Sequence, residues 1–410
     1  QSVAMGKASQ IAGLDIGSQT IRMALLERGA NGGYNVVAAV GVPTDGVRKG
    51  AVHRIDEVAE AIEIAKNHIH KNTGIEVRHA YVGIGDWRLT THQSNGLVAT
   101  TRADGEISSE DVKRAQQSAE EALPRLQNRQ IIETLPLGYR VDGDQPIMNP
   151  QGMQGMKLEA SVLFISAFFP FYKAILESLD QSRVHADDIL VSHLAAADLL
   201  LSRRQREIGV MLCDFGAETT SMSVWEEDKL LSFEVIPIGS AHITQDVALG
   251  FQVDLGTAER LKRSAFALAE GGKKEVRLAG FDKNIEQVYS QRKLEDIINA
   301  RLGDIFELTN KHLKKISRAG LLPAGIVCTG GGSRLGGLME SAKKELQLPS
   351  QMGTLSGFSG KRDLVDGPEW ATVLGVCHAG FIREHGGAGD SVLRSAAYQK
   401  IRRFLKQLIP

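Results

Sequence analysis

Two Asp-x-Gly turns are the residues here whose type and placement could do chemistry. Aligned, LDIGSQTIRMALLE (14–27) and CDFGAETTSMSVWE (213–226) set Asp15 beside Asp214 and Gly17 beside Gly216. Glycines at such turns let a backbone approach a bound anion, and an aspartate there would repel phosphates unless a cation intervened. The pair therefore implies a nucleotide with Mg2+, held largely through water by Asp15 and Asp214. One copy alone is adequately explained as hairpin turn chemistry; two copies in register favour a site. A third turn, in IVCTGGGSRLGGLMESAKKEL, follows a strand ending at Thr329 with Gly330, Gly331 and Gly332, and reads as a helix capped by Ser333. Its bare backbone could lie flat against an adenine or ribose.

The elements that must position these turns repeat. IAGLD, TIRMALLE and YNVVAAVGV read as three strands, followed by helical spacing of Ile55, Val58, Ala59, Ile62, Ala65 and Ile69. The same β-β-β-α order returns in EIGVMLCD, TTSMSVW, LLSFEVIPIG and AHITQDVALGF. Two related units then face each other across a cleft. Residues 78–162 read as an insert containing a charged helix at 109–123, with Ser108 and Asp111 as a capping pair and Pro124 as its stop.

Size and composition bound the rest. A chain of 410 residues suggests two or three domains. With 48 basic and 49 acidic residues, a globally basic nucleic-acid binder is excluded. Cys213, Cys328 and Cys377 lack CxxC spacing, which argues against structural zinc and for a reducing cytoplasm. No apolar run approaches the ~20 residues of a spanning helix, and QSVAMGKASQ does not resemble a secretory signal. Met5 reads as the native start, with four vector-derived residues before it. Walker A and HExxH patterns are absent. At the other end, GGAGD (386–390) reads as a hinge. Beyond it Leu393, Ala397, Tyr398, Ile401, Phe404, Leu405, Leu408 and Ile409 fall on one side of a helix, with Lys400, Arg402, Arg403 and Lys406 outside that arc. A docked terminal helix would have the same moment; the basic polar face and the hinge favour an anionic membrane interface.

These three turns, in this order, resemble those of the actin, sugar kinase and Hsp70 superfamily. Within it the chain is most similar to the FtsA division family through GVRKGAVHRIDEVAEAI (46–62), NPQGMQGMKLEA (149–160), IPIGSAHITQDVALGF (236–251), the run 258–262 and the amphipathic end. The resemblance implies an α/β, actin-like (ribonuclease H-like) fold of two facing repeated subdomains around a nucleotide cleft. The implied subdomains are 1A at 11–77 (completed by 163–200 and 365–385), 1C at 78–162, 2A at 201–241 (completed by 322–364) and 2B at 242–321. A linker at 386–392 and a membrane helix at 393–410 follow. It further implies ATP bound by Asp15, Gly17, Ser18 and Gln19, by Asp214, Gly216, Ala217, Thr219 and Thr220 with Gly239, by Glu259 and Lys262 at the ribose and adenine, and by Gly330, Gly331, Gly332 and Ser333. Glu259 and Lys262 share a helical face; spacing alone favours a surface ion pair, and their position after the second turn brings the functional reading level with it.

Implied partners are the FtsZ C-terminal peptide on 2B (through Arg301 and Lys311), other copies of the chain in filaments through 1C and neighbouring subdomains, later division proteins, and the anionic inner membrane through Tyr398, Ile401, Arg402, Arg403, Phe404, Leu405, Lys406 and Leu408. The implied place is the cytoplasmic face of that membrane at the division site. Departures are visible: Ala217 and Glu218 interrupt the glycine-rich second turn, where a carboxylate opposes phosphates unless it turns away or contacts the metal, and Thr20 stands where many relatives have lysine. Ser192 and His193 occupy the segment behind the cleft where hydrolytic relatives place Glu or Gln, and His193 reads as a packed interior histidine. Weak or absent ATPase activity, and no catalytic residue, are therefore expected. The alternatives are a sugar-kinase-like phosphotransferase, which needs a catalytic Asp, and a PilM-like pilus adaptor, which needs no basic terminal helix. The cluster Met148, Met153 and Met156 is either a contact surface or loop filler.

Overall fold

The computed structural model describes residues 10–29, 32–268, 275–279 and 286–385. The expected linker and membrane helix, including Tyr398 to Leu408, lie outside them. The first unit runs β1 (Gln10–Ile16), β2 (Thr20–Arg28), β3 (Tyr34–Pro43), the small hairpin β4 (Val47–Arg48) and β5 (Ala51–Val52), α1 (Ile55–Thr73) and β6 (His79–Ile84). An insertion follows as β7 (Thr90–Ala99), α2 (Ser109–Glu121), β8 (Arg129–Val141) and β9 (Lys157–Phe168). The chain returns through α3 (Phe169–Gln181), β10 (His185–Val191) and α4 (Ser192–Leu200). The second unit holds α5 (Arg203–Ile208), β11 (Val210–Phe215), β12 (Thr220–Glu226), β13 (Lys229–Ile236), α6 (Ser240–Phe251), α7 (Leu255–Leu268), β14 (Glu275–Ala279), β15 (Glu286–Ser290) and α8 (Gln291–Lys315). It continues with β16 (Ile326–Thr329), α9 (Leu338–Leu346) and β17 (Ser350–Met352), before β18 (Phe358–Gly360) and α10 (Ala371–His385).

The repeat read in the sequence is a repeat of topology. One sheet is ordered β10-β6-β1-β2-β3-β18, the other β13-β12-β11-β16-β17. In both, the first strand pairs antiparallel with the next and parallel with a later one, β6 for β1 and β16 for β11. The cross-strand partner of Asp15 is Arg22, whereas that of Asp214 is Ser221. The repeat is therefore symmetric in backbone and asymmetric in charge. Helices α4 and α10 pack on each other beneath the cleft, and the large core that includes Leu14, Ile62, Val82 and Leu194 also takes Leu212 and Trp225 from the second unit. Burial of this continuous apolar surface is what ties the units together.

In the insertion, α2 lies across a three-stranded sheet ordered β7-β9-β8. Its N-terminus carries the expected capping box, Ser108 Oγ accepting from the Asp111 amide at 3.2 Å and Asp111 Oδ2 accepting from the Ser108 amide at 3.0 Å. Gly96 on β7 makes the close approach possible, because a Cβ there would sit 2.2 Å from the Ala115 carbonyl oxygen and the Ala119 amide.

Three expected boundaries are corrected. β6 belongs to the six-stranded sheet between β1 and β10, so the insertion starts after Ile84 rather than at Arg78. Its sequence HAYVGI is apolar on successive residues because a central parallel strand is covered on both faces. β9 pairs along its whole length with β7 and β8, carrying the insertion to Phe168 instead of Val162. β18 pairs with β3, so the chain re-enters the first unit at Phe358, ahead of the expected 365.

Candidate functional site

The turns after β1, β11 and β16 converge on a cavity of about 530 Å3 between the two units. A Cβ on Gly17 would lie 2.8 Å from the Thr20 carbonyl oxygen, and one on Gly216 would lie 2.8 Å from the Thr219 carbonyl oxygen. The same tightness recurs in both repeats, so both turns require glycine for the same steric reason. Gly330 is more constrained still: its φ is +82°, and a Cβ would fall 2.0 Å from Asp214 Oδ1.

Of the residues expected at the site, Asp15, Gly17, Ser18, Gln19, Asp214, Gly216, Ala217, Thr219, Glu259, Lys262, Gly330, Gly331 and Gly332 line the cavity. Thr220, Gly239 and Ser333 do not; they hold the turns from behind. Thr220 Oγ1 donates to the Ile238 carbonyl at 2.8 Å. Gly239 lies so close to the second turn that a Cβ would meet the Ala217 carbonyl at 2.6 Å, and the amides following it, Ser240 and Ala241, bond the Gly216 and Ala217 carbonyls. Ser333 caps no helix: α9 begins at Leu338 behind Gly337, and Ser333 Oγ instead donates to the Gly330 carbonyl at 2.7 Å, closing the turn on itself.

The carboxylates differ in their surroundings. Asp15 accepts from Ser192 Oγ at 2.6 Å and Thr372 Oγ1 at 2.7 Å, on separate oxygens. Burial nevertheless raises its pKa, against the pull of those two hydroxyls and Arg22. Asp214 accepts no hydrogen bond among the described residues, and burial followed by the Asp15 charge lifts it to about 7. Two buried carboxylates, one raised further by the charge of the other, are relieved by a cation between them, so the donor set fits a hard divalent ion.

At the far wall, Lys262 Nζ meets Glu259 Oε2 at 2.7 Å and Thr244 Oγ1 at 2.8 Å, while Arg263 holds the other Glu259 oxygen at 2.8 Å. Burial lowers the Lys262 pKa, opposed by Glu259. The pair of the sequence reading thus exists as an ion pair, and its members line the cavity.

Glu218 turns away. Its carboxylate crosses to the first unit, where Oε1 pairs with Arg48 at 2.7 Å and Oε2 accepts the Lys49 amide at 2.7 Å. The tip of the β4–β5 hairpin is also held from the other side, by Ser18 Oγ on the Gly50 amide and by the Trp87 amide on the Lys49 carbonyl. The side chain expected to oppose phosphates is instead a bridge across the cleft mouth.

His193 is interior, as expected: it is buried, bonded to Ser223 Oγ at 2.9 Å, and pushed down to about 3 by desolvation, although the residue also contributes to the cavity lining. Ser192, expected in the segment behind the cleft, lines the cavity, whereas the sequence reading missed Arg22, Thr372, Arg334 and Glu369 there. Arg22 was accessible from hairpin register opposite Asp15; Thr372 was not, because only packing of α10 brings it there. Elsewhere, Arg301 is engaged by Asp246 through two nitrogens at 2.7 and 2.9 Å, while Lys311 is exposed. All three cysteines are buried and unpaired.

Residues 211–375 match the family described as Cell division protein FtsA, and residues 88–166 match the SHS2 domain inserted in FtsA, which falls on the three-stranded insertion. The Cell division protein FtsA of Pseudomonas aeruginosa is 29% identical over 96% of this chain and 94% of its own length, and that of Bacillus subtilis 29% over 88% and 81%. Among solved structures, that of the PilM-PilN type IV pilus biogenesis complex has a TM-score of 0.65 at 20% identity, covering 90% of this chain and 98% of that one. MreB5 of Spiroplasma citri bound to AMPPNP gives 0.54 at 12%, covering 98% and 100%. These two likenesses establish the actin-like fold, and the sequence matches, spanning the insertion as well as the second unit, establish that the chain belongs to the FtsA family of actin-like bacterial cell division proteins.

Proposed function

We propose that this chain is an ATP-binding adaptor that self-associates and ties FtsZ filaments to the cytoplasmic face of the cell membrane at the division site, where it recruits later division proteins. The observation that carries the reading is the convergence of three glycine turns, two facing carboxylates and the Glu259–Lys262 pair on one cavity, in a member of the FtsA family. Its volume of about 530 Å3 suits a nucleotide.

In this reading the backbones at Gly17 and Gly216 receive the phosphates, Gly330 to Gly332 lie against the adenine, and Glu259 and Lys262 bond the ribose and base. Asp15 and Asp214 would hold Mg2+, which when bound supplies the charge that lets these carboxylates coexist with a triphosphate. Binding rather than turnover is the output. The Ser192 hydroxyl is committed to Asp15, and His193 is held neutral by burial and already bonded to Ser223, so neither is placed to activate water. Neighbours support nucleotide binding and self-association: MreB5 was solved with AMPPNP, and MamK as a double helical filament at a TM-score of 0.51.

The proposed subdomains are 1A, 1C, 2A and 2B with the boundaries moved as described, 1C spanning 85–168. For FtsZ docking on α8, Lys311 is an available cation, whereas Arg301 must first release Asp246. The tail at 393–410 is the proposed anchor; one such helix binds reversibly, and a filament of them binds firmly by avidity. No helix among the described residues is long and apolar enough to cross a membrane.

The test is a three-component sedimentation with FtsZ filaments, anionic vesicles and this chain plus ATP and Mg2+. FtsZ is expected in the vesicle pellet only when the chain is present. FtsZ that floats free of vesicles in its presence refutes the adaptor role.

A further inference from the structure

Far from the cleft, at the edge strand of the six-stranded sheet, three metal-binding side chains lie together. His79 and His185 are the first residues of β6 and β10, and the parallel register sets them directly opposite each other. Their rings meet edge to face with centroids 5.1 Å apart. A bulge between Ala186 and Asp188 leaves Asp187 outside the ladder, and its Oδ1 lies 2.9 Å from His79 Nδ1. One donor atom from each of the three residues falls within 4.8 Å of the others.

A His–Asp pair alone needs no ligand to explain it. The third member is different: no described residue hydrogen-bonds the His185 ring, which is exposed and aimed at the pair. Nor, among the described residues, does a lysine or arginine pair with the Asp187 carboxylate, and the neighbouring Arg78 is engaged by Glu76 at 2.7 Å. Donors bound to one ion at ~2.1 Å stand roughly 3.0–3.5 Å apart. The 2.9 Å contact is already close to that spacing, and the remaining gap closes by torsion of exposed side chains without moving either strand.

We propose that His79, His185 and Asp187 form a surface site for a borderline divalent transition-metal ion of the zinc class. Two imidazoles and one carboxylate select that class over Mg2+ and Ca2+, which prefer all-oxygen sets. Three protein ligands leave a coordination position open to water or to a donor from another molecule. Because the ligands sit on adjacent strands, the ion staples the N-terminal ends of β6 and β10 together.

The experiment uses the full chain without an affinity tag, stripped by chelator and free of nucleotide, titrated with Zn2+ by calorimetry and with Co2+ by visible absorption. Excess Mg2+ is present to occupy the cleft carboxylates. One equivalent is expected, with a zinc-dependent rise in Tm. His79→Ala and His185→Ala each weaken binding at least tenfold and abolish the Tm rise, and Asp187→Asn weakens it, while His68→Ala on α1 changes nothing. All four positions lie at the surface, and melting without metal verifies that the variants fold. Absence of a zinc isotherm in the parent chain, an isotherm unchanged in the two histidine variants, or its loss to Mg2+ alone overturns the proposal.

Discussion

Glu218→Ala tests whether this carboxylate closes the cleft. The structure separates its two bonds by environment. Arg48 is 60% exposed, so its pairing with Glu218 counts as a surface ion pair contributing about 0.5 kcal/mol. The Lys49 amide donates to a carboxylate whose side chain is only 13% exposed, a charge-assisted bond contributing about 1.5–3 kcal/mol. Losing both should favour opening by about 2–3.5 kcal/mol, roughly 30- to 300-fold in the closed-to-open ratio. Arg48→Ala should cost about twofold, and Glu218→Gln, which keeps a neutral acceptor for the amide, should fall between. Native-state hydrogen exchange at the Lys49 amide reads this directly, with the core amides of β1 as an internal standard. Nucleotide affinity should fall in Glu218→Gly, although that change makes the turn more like its relatives, because the carboxylate it removes does not face the cavity. Equal exchange in Glu218→Ala and Arg48→Ala, or an unchanged Lys49 amide, would refute the bridge.

Gly330→Ala should destabilise by roughly 2–5 kcal/mol, combining left-handed backbone strain with a Cβ 2.0 Å from Asp214 Oδ1, and should abolish the ATP-dependent Tm rise; Gly337→Ala, with φ of +72° but open space around it, should cost only about 1–2 kcal/mol in denaturant unfolding. Asp214 has a folded pKa of about 7 against an ordinary 3.8, so the folded state binds its proton more tightly; the stability this contributes is complete below pH ~4 and is lost as pH rises towards 7. Glu133 and Asp198, also raised by burial, add to the same slope, so the measurement is the difference between parent and Asp214→Asn melting curves, which should narrow as pH falls from 7 to 4; a constant difference over that range would contradict the raised pKa. Deleting 393–410 should abolish pelleting with anionic vesicles while leaving Tm unchanged, and Phe404→Glu should reproduce most of that loss; retained pelleting in either rules out the apolar face as the anchor.

Much of the site was legible in the sequence because it is built from short, repeated local devices. An Asp-x-Gly turn between two strands requires glycine for reasons confined to a few residues, so Asp15, Gly17, Asp214, Gly216 and the Gly330–Gly332 turn could be named from spacing alone, as could the capping box of α2. The β-β-β-α repeat was visible because apolar alternation and helical spacing are properties of neighbouring positions. Tertiary structure decided everything that depends on what those elements meet. Only pairing with β1 assigned β6 to the central sheet, and only pairing with β3 returned β18 to the first unit, since neither a strand covered on both faces nor a three-residue edge strand carries a mark of which sheet it joins. Spacing could not tell that Thr220, Gly239 and Ser333 brace the turns from behind while Thr372 faces the cavity, or that α9 starts five residues after Ser333. Nor could it orient Glu218: a carboxylate in a phosphate turn is repulsive until a backbone amide and an arginine from a hairpin some 170 residues away are brought within 2.7 Å. Local sequence fixes the conformation of a turn; the charge, burial and direction of its side chains are set by elements distant in the chain, which only folding brings together.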